Sequence, residues 1–147
     1  MNENEPKEPT LEQKEKLNAH VLLADDSFFE LKMTGTILES MGCTVETVRD
    51  GQELVDRLST AQPGEFDLII TDRNMPRMNG VEALERLHTD EHFKSLNCPI
   101  ILNSTDAEEQ DITAVGKYGG VYLHKKSRTS NNGSNVFMDT VRRLIKG

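Results

Sequence analysis

The chain has 147 residues, a formal net charge of −8 and two cysteines. This length suffices for one domain with its own core and is short for two. An acidic chain is a poor general binder of nucleic acid, whose phosphates attract basic surfaces. No apolar run approaches the roughly 20 residues of a membrane span, and the charged N-terminus lacks a signal-peptide pattern. We therefore expect a cytoplasmic domain that binds neither nucleic acid nor membrane.

The charge is unevenly distributed along the chain. Residues 117–147 contain seven basic residues and one acidic residue, although the whole chain has 17 basic and 25 acidic residues. This basic end is consistent with a docking surface for an acidic partner and equally with a solvated face that has no partner.

Strands and helices alternate from residue 19 onward, after a polar segment that predicts a mobile tail over 1–18. The predicted strands cover 20–24, 44–48, 67–71, 99–103 and 121–124. Capping-box spacings at Ser27, Asp50 and Asn79 open the first three predicted helices. The fourth predicted helix covers about 106–116 and the fifth about 135–146.

Five strands alternating with five helices predict an α/β fold over residues 19–147. The expected architecture is a three-layer, doubly wound, five-stranded parallel sheet with the flavodoxin-like strand order 2-1-3-4-5. Since helices would cover both faces of this sheet, the nearly continuous apolar runs at 68–70 and 100–102 are expected in its central strands.

Polar residues with complementary chemistry follow four of the predicted strands. Asp25 and Asp26 follow the first strand, Asp72 the third, Ser104 the fourth and Lys125 the fifth. Because the carboxyl ends of parallel strands lie at one edge of the sheet, we expect these side chains to converge in one cleft. An isolated acid at a strand end is usually a loop residue or a helix cap, but four such strand ends together favour a functional site.

The residue types in this predicted cleft are those that carboxylate phosphorylation requires. Asp72 can accept a phosphoryl group if the transferring phosphate is neutralised and aligned. Three neighbouring carboxylates, Asp25, Asp26 and Asp72, repel one another without a cation, and such hard oxygen ligands suit Mg²⁺. Lys125 would supply positive charge to the phosphate, and Ser104 can donate a hydrogen bond to a phosphoryl oxygen.

Four motifs carry a family resemblance: Asp25-Asp26, the string DRNMPRMNG that begins at Asp72, Ser104 and Lys125. In these motifs, and over about residues 19–146, the chain resembles the CheY-like receiver domain of two-component response regulators. The resemblance implies that a histidine kinase or a phosphotransfer protein phosphorylates Asp72. It implies no enzyme activity beyond Mg²⁺-dependent self-phosphorylation and self-dephosphorylation.

The resemblance also implies roles for individual residues. Asp26, Asp72 and the backbone carbonyl of Asn74 would bind Mg²⁺ directly, while Asp25 would act largely through water. Ser104 and Tyr122 match a switch pair, in which the hydroxyl moves to the phosphoryl group and the ring turns inward.

Two positions depart from the family pattern. The family normally has proline after the lysine, joined by a cis peptide bond, whereas Lys126 follows Lys125 here. A cis bond without proline costs about 2.5–4 kcal/mol, so we expect a trans bond and an altered exit from the fifth strand. The residue after the switch hydroxyl is normally small, and we expect Thr105 to crowd the phosphoryl group and slow its hydrolysis.

The predicted function is a stand-alone receiver that switches a protein–protein interaction. After the fifth strand the chain has room for only one more helix, so the signal is expected to leave through the surface of the fourth helix, the fifth strand and the fifth helix. The sequence does not distinguish a chemotaxis ligand from a phosphorelay intermediate.

Two alternatives remain open from the sequence. A scaffold that is never phosphorylated is compatible with the departure at Lys126. A haloacid-dehalogenase-type phosphatase also forms an aspartyl phosphate, but that family places its nucleophile after the first strand and a second acid two residues later. Asp72 follows the third strand and has Asn74 at that position, which disfavours the phosphatase.

Overall fold

The computed structural model describes residues 16–129 and 135–147. Its five strands are β1 (Ala19–Ala24), β2 (Cys43–Val48), β3 (Leu68–Thr71), β4 (Ile100–Ser104) and β5 (Val121–His124). They form one parallel sheet in the order β2-β1-β3-β4-β5. The predicted fold class and strand order are confirmed.

The helices of the described residues are α1 (Phe28–Ser40), α2 (Gly51–Ser59), α3 (Gly80–His88), α4 (Glu91–Leu96), α5 (Glu109–Lys117) and α6 (Val136–Lys146). The three predicted caps are present, because the side chains of Ser27, Asp50 and Asn79 each accept a hydrogen bond from a backbone N–H three residues later. The fourth predicted helix corresponds to α5 and the fifth to α6.

Two buried apolar clusters hold the helices against opposite faces of the sheet. One cluster joins α2, α3, α4 and α5 to the sheet and includes Leu54, Leu84, Phe93, Val115 and Ile69. The other joins α1 and α6 to the sheet and includes Leu31, Leu38, Phe137, Val21 and Ile70. Since neighbouring strand residues point to opposite faces, the apolar runs of β1, β3 and β4 supply both clusters. The result is the predicted three-layer arrangement.

Three local features differ from the predicted elements. Ser104 is the last residue of β4 rather than the first residue after it, because its backbone pairs with His124. The short helix α4 was not predicted; it is capped by Asp90, which accepts a hydrogen bond from the backbone N–H of His92. After β5 the chain forms one 3-10 turn at Lys125–Arg128, an element that was not predicted.

The predicted mobile tail falls mainly on residues 1–15, which lie outside the described part of the chain. Within the described part, Leu17 packs beside α1 and donates a backbone hydrogen bond to the carbonyl of Met41. No helix among residues 16–129 and 135–147 is long and apolar enough to cross a bilayer.

Candidate functional site

Three carboxylates meet where β1 and β3 end. These strands are neighbours, with Ala24 opposite Thr71, so their next residues emerge side by side at the carboxyl edge of the sheet. One oxygen from each of Asp25, Asp26 and Asp72 lies within 4.8 Å of the others. Asp25 and Asp72 are buried, whereas Asp26 is exposed. The predicted convergence of these three side chains is therefore present in the structure.

Lys125 bridges the two buried carboxylates. Its Nζ lies 2.8 Å from Asp25 Oδ2 and 3.2 Å from Asp72 Oδ2. Burial opposes the charge on the ammonium, but the contacts with Asp25 and Asp72 outweigh it and raise the pKa of Lys125. Burial, and then the charge of Asp25, raise the pKa of Asp72 despite the nearby lysine. The ammonium thus lies in direct contact with the predicted phosphoacceptor.

The donor set fits a small divalent cation. Three carboxylates contribute three negative charges within one cluster, and Lys125 offsets only one of them. Burial and then the charge of Asp25 raise the pKa of Asp72, and the nearby Lys125 does not fully offset these two effects. Carboxylate oxygens are the ligands that Mg²⁺ prefers, and the exposed Asp26 leaves the solvent side of the cluster open for water or phosphate oxygens.

The β3–α3 loop is tied to the rest of the protein at several points. Arg77 makes two hydrogen bonds to Asp50 Oδ2, at 2.6 and 2.9 Å. The backbone N–H of Gly51 donates to the carbonyl of Met78 at 2.9 Å. A Cβ on Gly80 would lie 2.0 Å from the carbonyl oxygen of Asp72, so only glycine permits this close approach. These contacts fix the backbone that carries Asp72.

Ser104 and Tyr122, the predicted switch pair, are joined through the backbone. The Tyr122 hydroxyl donates to the carbonyl oxygen of Ser104 at 3.1 Å, and its ring is half-buried. The Ser104 hydroxyl is fully buried and donates to Asp106 Oδ1 at 2.9 Å. Asp106 also accepts a hydrogen bond from the side chain of Asn74, which connects β4 to the loop after Asp72.

The connection after Lys125 is formed without proline. All peptide bonds between described residues are trans, as we expected for Lys125-Lys126. The backbone N–H of Lys126 donates to His124 Nδ1 at 3.0 Å, a bond that a proline at this position lacks. The altered strand exit is therefore the 3-10 turn that begins at Lys125.

Three residues near the site were not identified from the sequence. Glu30 lies in the first turn of α1, Asp106 follows β4, and Arg128 ends the 3-10 turn. The capping-box spacing placed Glu30 on α1, and no periodic pattern or motif marked Asp106 or Arg128. All three make side-chain contacts to residues of the predicted site or to residues that touch it.

The sheet is parallel with strand order 2-1-3-4-5, an acidic cluster lies at its carboxyl edge, and the lysine directly after the last strand contacts that cluster. This is the architecture of a receiver domain. Comparison with known proteins agrees with the architecture. The family model of the response regulator receiver domain matches residues 21–132, and the chain belongs to that family.

Individual relatives cover most of the described domain. The chemotaxis protein CheY-3 of Vibrio cholerae is 26% identical over 102 residues, which are 69% of this chain and 75% of that protein. The two-component response regulator ARR8 of Arabidopsis thaliana is 33% identical over 103 residues, covering 59% of this chain and 45% of its own length.

Solved structures show the same fold. Chemotaxis response regulator CheY4 of Vibrio cholerae superposes with a TM-score of 0.66 at 29% identity, over 86% of this chain and 98% of that one. The receiver domain of the Francisella response regulator 1452 gives a TM-score of 0.69 at 26% identity, over 88% of this chain and 98% of that one.

Proposed function

We propose that this receiver is a cytoplasmic phosphorylation switch in which Asp72 accepts one phosphoryl group from a histidine kinase or a phosphotransfer protein. The observation that carries the proposal is the contact between the Lys125 ammonium and Asp72 Oδ2, beside the carboxylates of Asp25 and Asp26. An acceptor carboxylate, a cation-binding cluster and a fixed positive charge are the groups that this transfer needs.

Each residue has a distinct part in the proposed transfer. An oxygen of Asp72 forms the new bond to phosphorus while the bond from phosphorus to the donor breaks. Asp26, Asp72 and the carbonyl of Asn74, with Asp25 acting through water, would hold Mg²⁺, whose charge would neutralise the negative charge of the phosphate. The Lys125 ammonium, already 3.2 Å from Asp72 Oδ2, stabilises the negative oxygens of the incoming group.

The proposed readout of phosphorylation begins at Ser104. Its hydroxyl leaves Asp106, to which it now donates, and donates to a phosphoryl oxygen instead. A shift of Ser104 displaces Tyr122 as well, because the Tyr122 hydroxyl donates a hydrogen bond to the Ser104 carbonyl. The two side chains thereby convert an added charge of about −1.5 to −2 into a local rearrangement of β4 and β5.

The proposed docking surface for a downstream protein consists of α5, β5 and α6. It corresponds to the surface predicted from the sequence, and β5 is the edge strand of the sheet with all four residues half-buried. Exposed basic residues occur on or beside these elements, at Lys117, Lys126 and Arg143. A partner with an acidic segment matches this surface in charge.

Intact mass measurement tests the proposal. The protein is incubated with Mg²⁺ and acetyl phosphate, and in parallel with a phosphorylated phosphotransfer protein. We expect one added phosphoryl group on the wild type and none on Asp72→Asn. Asp67→Asn is the matched control, because Asp67 lies at the opposite end of β3, where its carboxylate accepts a hydrogen bond from the backbone of His20.

The outcomes separate the alternatives. Stoichiometric labelling that depends on Asp72 supports the switch. Absence of labelling with both donors contradicts it and favours a scaffold that acts by binding alone. Continuous release of phosphate from an added phosphate ester contradicts it in favour of a phosphatase.

A further inference from the structure

A second ion pair lies directly behind Lys125, outside the predicted acidic cluster. Arg128 Nη1 is 2.5 Å from Glu30 Oε2, and that same glutamate oxygen is 3.5 Å from Lys125 Nζ. Glu30 comes from α1 and Arg128 from the end of the 3-10 turn, so residues 98 positions apart meet beside the lysine. Neither residue is among those that the family motifs assign.

Lys125 is therefore surrounded by three carboxylates rather than two. Its Nζ lies 2.8 Å from Asp25, 3.2 Å from Asp72 and 3.5 Å from Glu30. A lysine ammonium is a point charge on a flexible stem, so it moves readily toward whichever carboxylate attracts it most. Because the Lys125 side chain is only 10% exposed and Glu30 only 21%, solvent screens this competition weakly.

Arg128 is held so that its charge stays on Glu30. Its Nε donates to the Lys125 carbonyl at 2.9 Å, and its Nη1 also donates to Thr34 Oγ1 at 2.7 Å. The backbone carbonyl of Arg128 accepts a hydrogen bond from the side chain of Asn135 at 3.0 Å. The Arg128 side chain is 8% exposed, so its guanidinium has few alternative positions. Although burial acts in the opposite direction, Arg128 and Lys125 together hold the pKa of Glu30 below its usual value.

We infer that Arg128 is a positioning residue: it neutralises Glu30 and so keeps the Lys125 ammonium on Asp25 and Asp72. Without Arg128, Glu30 becomes an uncompensated, largely buried carboxylate 3.5 Å from Lys125 and draws the ammonium away from Asp72. The effect on phosphoryl transfer rests on the proposed function, whereas the effect on the position of Lys125 does not.

A double-mutant cycle tests this inference, with Arg128→Gln, Glu30→Gln and the double variant compared with the wild type. The first readout is the rate of phosphorylation by acetyl phosphate at saturating Mg²⁺. The second is the side-chain ammonium resonance of Lys125 in the metal-free protein, measured by ¹H–¹⁵N NMR. Arg86→Gln, at an exposed arginine of α3 outside the proposed docking surface, is the matched control.

We expect Arg128→Gln to phosphorylate about tenfold more slowly, which is a rise of about 1.4 kcal/mol in the barrier, because Glu30 then draws the ammonium away from Asp72. Its Lys125 resonance should shift. Adding Glu30→Gln should restore both readouts, because the competing carboxylate is then gone, and Arg86→Gln should change neither. Rescue by a second substitution is not expected if Arg128 only holds the turn in place.

The double variant tests the inference even if Arg128→Gln alone does not fold. Arg128 acts through Glu30, so the double variant and Glu30→Gln should phosphorylate at equal rates and share one Lys125 resonance. A double variant more than tenfold slower than Glu30→Gln, or a Lys125 resonance that Arg128→Gln leaves unmoved, would overturn the inference. If the wild type accepts no phosphoryl group, the proposed function fails, and the NMR comparison alone decides the inference.

Discussion

The buried hydroxyl of Ser104 donates a hydrogen bond to Asp106, a carboxylate two residues further along the chain. That bond, and a second one from Asn74, lower the pKa of Asp106, so the residue stays ionised down to acidic pH. The hydroxyl that is predicted to read the phosphoryl group is thus already engaged. In the proposed switch, the bond from Ser104 to a phosphoryl oxygen replaces an existing charge-assisted bond, which lowers the free energy gained from the new bond.

Removing that competitor should strengthen the phosphorylated state. In Asp106→Ala the Ser104 hydroxyl no longer donates to a carboxylate, so it does not have to break that bond to reach the phosphoryl group. The substitution also removes a negative charge near the incoming phosphoryl group. We expect beryllium fluoride, a phosphoryl analogue, to bind about fivefold more tightly with Mg²⁺, as a hydrogen bond contributes about 1 kcal/mol. Binding is measured by NMR titration, with Glu85→Ala, at an exposed residue of α3, as control. Unchanged or weaker binding would contradict the prediction.

Thr105 follows the switch serine and is exposed at the carboxyl end of β4. A branched side chain at this position is expected to crowd the phosphoryl group and to hinder the attacking water. Thr105→Ala should therefore shorten the lifetime of phosphorylated protein severalfold, measured as the decay of the intact-mass adduct after the donor is removed. Thr105→Ser, which keeps the hydroxyl but removes the methyl group, separates crowding from hydrogen bonding. Equal lifetimes in all three proteins would disprove the crowding effect.

The acidic cluster should destabilise the metal-free protein at neutral pH. Burial and Asp25 raise the pKa of Asp72. A carboxyl group whose pKa is higher in the folded state than in the unfolded state stabilises the folded state when it is protonated. This contribution to the unfolding free energy is fully present below the unfolded-state pKa and is lost as pH rises through the folded-state pKa. The uncharged variant Asp72→Asn should therefore melt several degrees above the wild type at pH 7, and the difference should shrink as pH falls toward 4.

Thermal unfolding in the presence of EDTA, over a series of pH values, measures this difference. Adding Mg²⁺ should reverse the order, because a cation that binds the folded wild type stabilises it by mass action. A variant that is less stable than the wild type at pH 7 without metal would show that Lys125 already compensates the cluster.

Gly80 should tolerate no side chain. A Cβ at this position would meet the Asp72 carbonyl at 2.0 Å and Thr71 Oγ1 at 2.9 Å, so Gly80→Ala has to displace backbone beside the acceptor. We expect a loss of about 1–3 kcal/mol in unfolding free energy, and weaker Mg²⁺ binding. Gly116→Ala is the control: Gly116 lies in α5, a Cβ there would meet open space, and alanine should stabilise by about 0.5–1 kcal/mol. Equal effects at both positions would contradict the steric argument.

The sheet and the acidic cluster were predictable because both depend on local patterns. Apolar runs that end in polar residues identify strand ends, and parallel topology brings those ends together. The sequence therefore predicts Asp25, Asp72 and Lys125 in one cleft. Their roles in phosphoryl transfer stay predictions. Ser104 lies at the same edge, as the last residue of β4 rather than the first residue after the strand.

The contacts around this cluster were not predictable in the same way. Arg128 meets Glu30 because a 3-10 turn directly follows β5, and the direction of that turn depends on tertiary packing. The bond from Ser104 to Asp106 depends on a side-chain rotamer, which no sequence pattern specifies. Helix α4 was overlooked because six residues are too few to show a helical period.

The anchoring of the β3–α3 loop has a kinetic consequence. Arg77 adopts a left-handed backbone conformation, with φ of 67°, and its bonds to Asp50 hold it there. The loop therefore loses its conformational freedom when the protein folds, and an arriving ion has no segment left to order. Hydrated Mg²⁺ gives up its water molecules reluctantly. The pace of metal entry should accordingly follow water exchange on the ion and not any rearrangement of the chain.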